Sequence, residues 1–203
     1  MPKKASKKNK QSFSAEEKHF ITLCRRKKPN FDLIREQLQN GIDINSYYSF
    51  YSSSTNQFLR TYLIEDILRG YGMGYNPKDE LFHPFGCQNL PSLLVLFCEY
   101  GLSLSLDRGR VGARVLGALP LCYPDSFFIL ATEILLQAGA DPTIVNDRDP
   151  NEFAQIDAVT KLCEKCDRVS HEVNDHTAQP EELYVFTAMY HLCLFYSDLD
   201  ERQ

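Results

Sequence analysis

The residues best spaced for chemistry are Cys163, Cys166, His171 and His176, two thiols and two imidazoles in the order Cys-x2-Cys-x4-His-x4-His. This is the spacing of a zinc knuckle ending in histidine, and thiolate and imidazole are the ligands that a tetrahedral structural zinc takes. The neighbouring residues weigh against it. Ile156, Val159, Leu162 or Cys163, Cys166, Val169 and Val173 recur every three or four positions, which puts both thiols on the apolar stripe of a helix. At about 100° per residue, His171 is turned roughly 140° away from Cys166. The glycines that let a knuckle chain wrap its ion are also missing. Core cysteines are the expectation, with no metal or cofactor. The alternative is a zinc-binding or nucleic-acid-associated module that uses Cys163, Cys166, His171, His176 and the N-terminal lysines.

Nucleophilic catalysis needs a cysteine or serine beside a base and an orienting group. His19 and Cys24 fall on one expected helix, but five residues apart they point in different directions. Neither a glycine-rich phosphate loop, nor His-Glu-x-x-His, nor Gly-x-Ser-x-Gly occurs. No enzymatic activity is expected.

Recognition chemistry is better represented. The stretch Ser46-Tyr47-Tyr48-Ser49-Phe50-Tyr51-Ser52-Ser53-Ser54 holds four aromatics in nine residues. Tyrosine buries large area at low entropic cost while keeping a polar tip, and serine supplies adaptable hydrogen bonds. A competing reading folds these rings back onto the next helices. Arginines mark two further loop tips, Asp107-Arg108-Gly109-Arg110 with Arg114 one turn on, and Asn146-Asp147-Arg148-Asp149. Their guanidinium forks suit carboxylates on a partner, against the alternative of plain solvation. Tyr47, Tyr48, Tyr51, Arg108, Arg110 and Arg148 are the expected partner contacts.

The elements that must position these residues are helices. Ser14 and Glu17 have the spacing of a capping box, with Phe13 before them as a hydrophobic staple, for a helix over 15–27. A second helix over 31–39 stops at Asn40-Gly41, since glycine takes the left-handed conformation that ends helices. The same phrase, an apolar helix, a glycine and an extended exit, returns around Gly101 and Gly139. Aligned on these glycines, Leu38, Cys98 and Leu136 share one position and Leu33, Leu93 and Ala131 another, which is the face that a neighbouring unit would cover. Helices are also expected over 57–69, 110–121, 126–137 and 181–199. The last is apolar almost all round, so it is either wrapped by its own chain or free to self-associate.

The phrase Ile134-Leu135-Leu136-Gln137-Ala138-Gly139-Ala140-Asp141-Pro142 resembles the ending of the second helix in the ankyrin-repeat family, and Leu33 to Asn45 does so as well. The copy from Leu93 to Leu104 has Ser103 in place of the aspartate, and no first helix opens with Thr-Pro-Leu-His. The resemblance spans residues 15–146. It implies an all-α, ankyrin-like solenoid of about four helix pairs with irregular insertions and a C-terminal capping helix. It also implies stoichiometric protein binding through loop tips and a concave helical surface, without chemistry.

Composition agrees with a folded chain: 203 residues, 43% apolar and 24% charged. A disordered basic tail over 1–12 and one domain over 13–203 are expected. Seven cysteines without a secretory signal suit a reduced, cytoplasmic setting, and no apolar run reaches membrane-spanning length. The net charge is −5, yet Lys3, Lys4, Lys7, Lys8 and Lys10 give the first ten residues +5, while Asp147 to Gln203 carry −8. The acidic end disfavours nucleic acid and favours a basic protein partner, as for an immunity-type inhibitor facing a nuclease.

Overall fold

In the computed structural model, residues 12–26, 28–53, 57–69, 71, 87–119, 126–145 and 157–200 are described. They form eight α-helices and one two-stranded antiparallel sheet: α1 (Ala15–Cys24), α2 (Phe31–Gln39), β1 (Tyr47–Ser52), β2 (Gln57–Tyr62), α3 (Leu63–Arg69), α4 (Leu90–Glu99), α5 (Arg110–Ala118), α6 (Phe127–Gln137), α7 (Ala158–Asn174) and α8 (Pro180–Asp200). The expected basic tail lies outside the described residues except for Ser12, as do the tip at Arg148 and the turn at Tyr123-Pro124-Asp125.

The fold is mostly helical, with one correction to the all-α expectation. The first six residues of the helix expected over 57–69 form strand β2, and the helix begins only at Leu63. Local spacing allowed a helix there. What decides for the strand is non-local: Tyr62 lies opposite Tyr47 and Phe58 opposite Tyr51, and such cross-strand aromatic pairs stabilise a hairpin.

Helix starts follow the side chains available. Ser14 Oγ accepts from the Glu17 N–H at 3.1 Å while the Ser14 N–H donates to the Glu17 carboxylate at 2.7 Å, which completes the capping box. Phe13 is buried edge-on against the Tyr48 ring at 4.8 Å. Asn30 caps α2 and Asp157 caps α7 through their side-chain oxygens.

Three helix ends share one geometry. Gly41, Gly101 and Gly139 have φ of 104°, 81° and 90°, and each N–H donates to the carbonyl three residues back. The following residue then bonds five residues back, Ile42 to Gln37, Leu102 to Phe97 and Ala140 to Leu135. This is the Schellman arrangement, which satisfies carbonyls left open at a helix C-terminus. After these ends the chain turns, and the first two exits touch. Asn45 donates to the Gly101 carbonyl and accepts from the Ser103 N–H, both at 2.8 Å. Gly112 of α5 donates to Leu104 at 3.0 Å, and a Cβ on it would come within 3.0 Å of Ala140 Cα.

Helices pack in two rows. α1 contacts α3, α3 contacts α5, and α5 contacts α7; beside them α4 contacts α6, and α6 contacts α8. Pairs α1–α2, α5–α6 and α7–α8 join across. The core between the rows holds Phe20, Ile34, Ile67, Leu93, Phe97, Val115, Phe128, Leu135 and Phe186, with Phe20 and Phe97 ring centroids 6.1 Å apart. At the aligned positions Leu38, Leu136, Leu93 and Ala131 are buried, and Leu33 and Cys98 are half-buried.

Candidate functional site: the aromatic hairpin and the 107–110 turn

Strands β1 and β2 pair from Tyr47 opposite Tyr62 to Ser52 opposite Gln57. Because side chains alternate along a strand, directly opposed residues share a face. One face therefore carries Tyr47 and Tyr62 at the base, Ser49 and Arg60 in the middle, and Tyr51 and Phe58 toward the tip. Arg60 lies 5.0 Å from the Tyr47 ring, and the Tyr51 and Phe58 rings are 5.4 Å apart. On the opposite face Tyr48 packs on Phe13, with Phe50 6.0 Å from it. Phe58 is 73% exposed and Tyr51 53%, although nonpolar burial is the ordinary fate of such rings.

The hairpin base is tied to α3 and α5. The Leu63 N–H donates to the Ser46 carbonyl at 2.9 Å, and the Tyr62 N–H donates to the Glu65 carboxylate at 2.7 Å. Glu65 is buried and pairs with Arg114 of α5. The Arg114 guanidinium also meets Asp107 at 3.4 Å and lies 5.7 Å from the Tyr62 ring. Burial pushes the Tyr62 hydroxyl above its ordinary pKa, against the hydrogen bond from Arg60.

Asp107 belongs to a turn in which Asp107, Arg108 and Gly109 have φ of 55°, 59° and 80° in succession. Left-handed backbone costs a residue with a Cβ about 1–2 kcal/mol. The turn is held by the Gly109 N–H donating to the Ser105 carbonyl at 2.9 Å and by the Asp107–Arg114 pair. Arg108 and Arg110 follow on exposed positions. Two segments far apart in sequence, the aromatic run and the first arginine tip, thus meet through Arg114, Asp107 and Tyr62.

Of the residues singled out from sequence, Tyr51, Arg108 and Arg110 are exposed, whereas Tyr47 and Tyr48 are half-buried by packing within the hairpin and on Phe13. Arg148 lies outside the described residues. Arg114, grouped by spacing with the exposed tip, is instead 5% exposed and serves as a structural ion-pair partner. Sequence reading missed Phe58 and Arg60, whose signal was their alternation with Leu59 and Thr61 opposite an aromatic strand.

The four residues of the knuckle spacing are not gathered. Cys163 and Cys166 lie half-buried toward α8, where Tyr190 hydrogen-bonds Cys163 and Thr187 Oγ1 lies 3.9 Å from Cys166 Sγ. His171 and His176 are exposed. Among the described residues no group of three or more His, Cys, Asp and Glu is placed to hold a metal ion. Burial pushes the thiols of Cys24 and Cys193 up to about 12, the reverse of nucleophile activation.

Helix α8 buries Val185, Phe186, Met189 and Cys193 within its own chain and exposes Tyr184 and Phe195. No helix among the described residues is long and apolar enough to cross a membrane. Set against family models, curated proteins and solved structures, the chain matches none of them.

Proposed function

We propose that this chain is a non-catalytic protein-binding module, an ankyrin-like stack of helix pairs acting as a stoichiometric adaptor or inhibitor. Three Schellman-ended helices, the first two with contacting exits, and helices in two rows support the repeat reading. Such a stack can vary exposed residues without disturbing its interior.

The observation that carries the binding reading is the exposed pair Tyr51 and Phe58 one strand step from the exposed Arg60. Aromatic and arginine side chains dominate the energetics of protein interfaces. Tyr47 and Tyr48 serve this surface by holding the hairpin together, and Arg148 is proposed as a further contact. The net charge of −5 favours a basic partner, as an immunity-type inhibitor would have.

The test is affinity capture from the native cell with the wild-type chain and with a Tyr51→Ser, Phe58→Ser variant of unchanged circular dichroism. A partner held in fixed stoichiometry by the wild type and lost with the variant supports the reading. Equal capture by both removes the hairpin from the site.

A further inference from the structure

Helix α8 closes the row that runs α4, α6, α8, and it packs on α6 and α7. Its buried residues Val185, Phe186, Met189 and Cys193 fall on one side of the helix. At about 100° per residue, Tyr184, Ala188, His191 and Phe195 form a stripe within about 60° of one another, turned roughly 145° from that buried side. The outer side of a terminal helix in a stack is ordinarily polar. Here Tyr184 is 67% exposed and Phe195 61%, with His191 exposed between them and Ala188 half-buried.

The stripe is palindromic. From Glu181 through Tyr184, Ala188, His191 and Phe195 to Asp198 the steps are three, four, three, four and three residues, the same from either end. Alternating steps of three and four make the seam along which two helices interdigitate. A pattern that survives reversal matches itself across a twofold axis, where each contact occurs twice. With that axis between Met189 and Tyr190, Tyr184 lies opposite Phe195 of a second copy, and Ala188 leaves room for the imidazole of His191. The exposed ends, Glu181 against Asp198, oppose the match by like charge, which salt screens. An aromatic side chain buries roughly 150–250 Å², so at these exposures the four rings of two copies still have about 400–650 Å² to hide. With Ala188 and His191 added, this falls among weak, transient interfaces and short of the roughly 1,200 Å² of stable ones.

We infer that α8 is a weak self-association surface, on which two copies of the chain pair antiparallel through Tyr184, Ala188, His191 and Phe195. This goes beyond the hairpin and its partner. An unrelated partner would put no constraint on the order of the residues, whereas a second copy requires the order found.

The experiment is sedimentation equilibrium of the full chain at physiological salt, from about 10 µM to about 1 mM, the range of weak association. The wild type should rise from the mass of one chain toward that of two and no further, because a twofold contact closes. Tyr184→Lys and Phe195→Glu should each weaken association about tenfold or more. In an equimolar mixture of these two variants, antiparallel pairing sets the introduced lysine against the introduced glutamate and keeps Tyr184 against Phe195 at the other end. The mixture should therefore associate about tenfold tighter than either variant alone, a gain that misfolding cannot produce. A wild type that stays monomeric or grows beyond two chains, single variants that associate like wild type, or a mixture no tighter than its components overturns the inference.

Discussion

Glu65 of α3 and Arg114 of α5 form an ion pair with both side chains withdrawn from solvent, at 2% and 5% exposure. The pair joins the helix that follows the hairpin to the helix that follows the 107–110 turn. A buried pair is costly to break, because the surviving charge is stranded, but it need not be stabilising against an apolar replacement. We expect Arg114→Met to lower stability by about 3–5 kcal/mol. Glu65→Leu should do the same, whereas the double variant should recover part of the loss, because the buried Tyr62 N–H that Glu65 accepts from stays open. Urea unfolding of the four proteins measures this, and additive losses would show that the two residues act separately.

Asn45 links two exits by donating to the Gly101 carbonyl and accepting from the Ser103 N–H. At about 1 kcal/mol net for each hydrogen bond, Asn45→Ala should cost about 1–2 kcal/mol. Asn45→Asp keeps the acceptor but sets a carboxylate against a carbonyl oxygen, so it should be no better than alanine. Thermal melts of the three proteins give the order.

Glycines with open space should differ from the glycine in a tight one. A Cβ at Gly41, Gly101 or Gly139 meets nothing within 4 Å, so alanine there carries only the left-handed backbone penalty of about 1–2 kcal/mol. Gly112 has ordinary helical backbone, where alanine would gain up to about 1 kcal/mol in propensity. Its Cβ, however, would sit 3.0 Å from Ala140 Cα and 3.1 Å from the Leu104 carbonyl oxygen, and backbone cannot step aside cheaply. We expect Gly112→Ala to be the most destabilising of the four by chemical denaturation.

The two faces of the hairpin should separate stability from recognition. Phe13 is 4% exposed against Tyr48, so Phe13→Ala should cost about 3–5 kcal/mol as a large-to-small core change. Phe58→Ser, at the tip, should lose only the cross-strand pair with Tyr51, about 0.2–1 kcal/mol, and lower the melting temperature by no more than about four degrees. A large loss for Phe58→Ser would mean that the ring supports the fold.

Alkaline pH should weaken the fold through Cys24 and Cys193. Burial raises each thiol to about 12 from an ordinary 9.0, so in the window between them the unfolded chain releases a proton that the folded chain retains. Stability is then fully present below 9 and falls by about 1.4 kcal/mol per thiol per pH unit above it. Denaturant midpoints from pH 8 to 11 should decline less steeply in Cys24→Ala. Both thiols should also resist alkylation until the protein unfolds.

Local physics made much of the chain legible without coordinates. The Ser14–Glu17 box, the stop at Asn40-Gly41 and the returns at Gly101 and Gly139 depend on interactions within five or six residues, so their signals sit side by side in the chain. The helical stripe that carried Cys163 and Cys166 away from His171 and His176 is likewise a matter of angle per residue. The hairpin was not legible in this way. Phe58, Leu59, Tyr62 and Leu63 have a spacing that serves a helix or a strand, and the choice came from Tyr47 and Tyr51 across the turn. Arg114 looked like a tip residue because spacing gives its neighbours along the chain, whereas its burial came from Glu65, 49 residues away. Whether a charge solvates or pairs, and whether an aromatic ring packs or stays exposed, depends on what the fold brings against it, and that is set by tertiary contact.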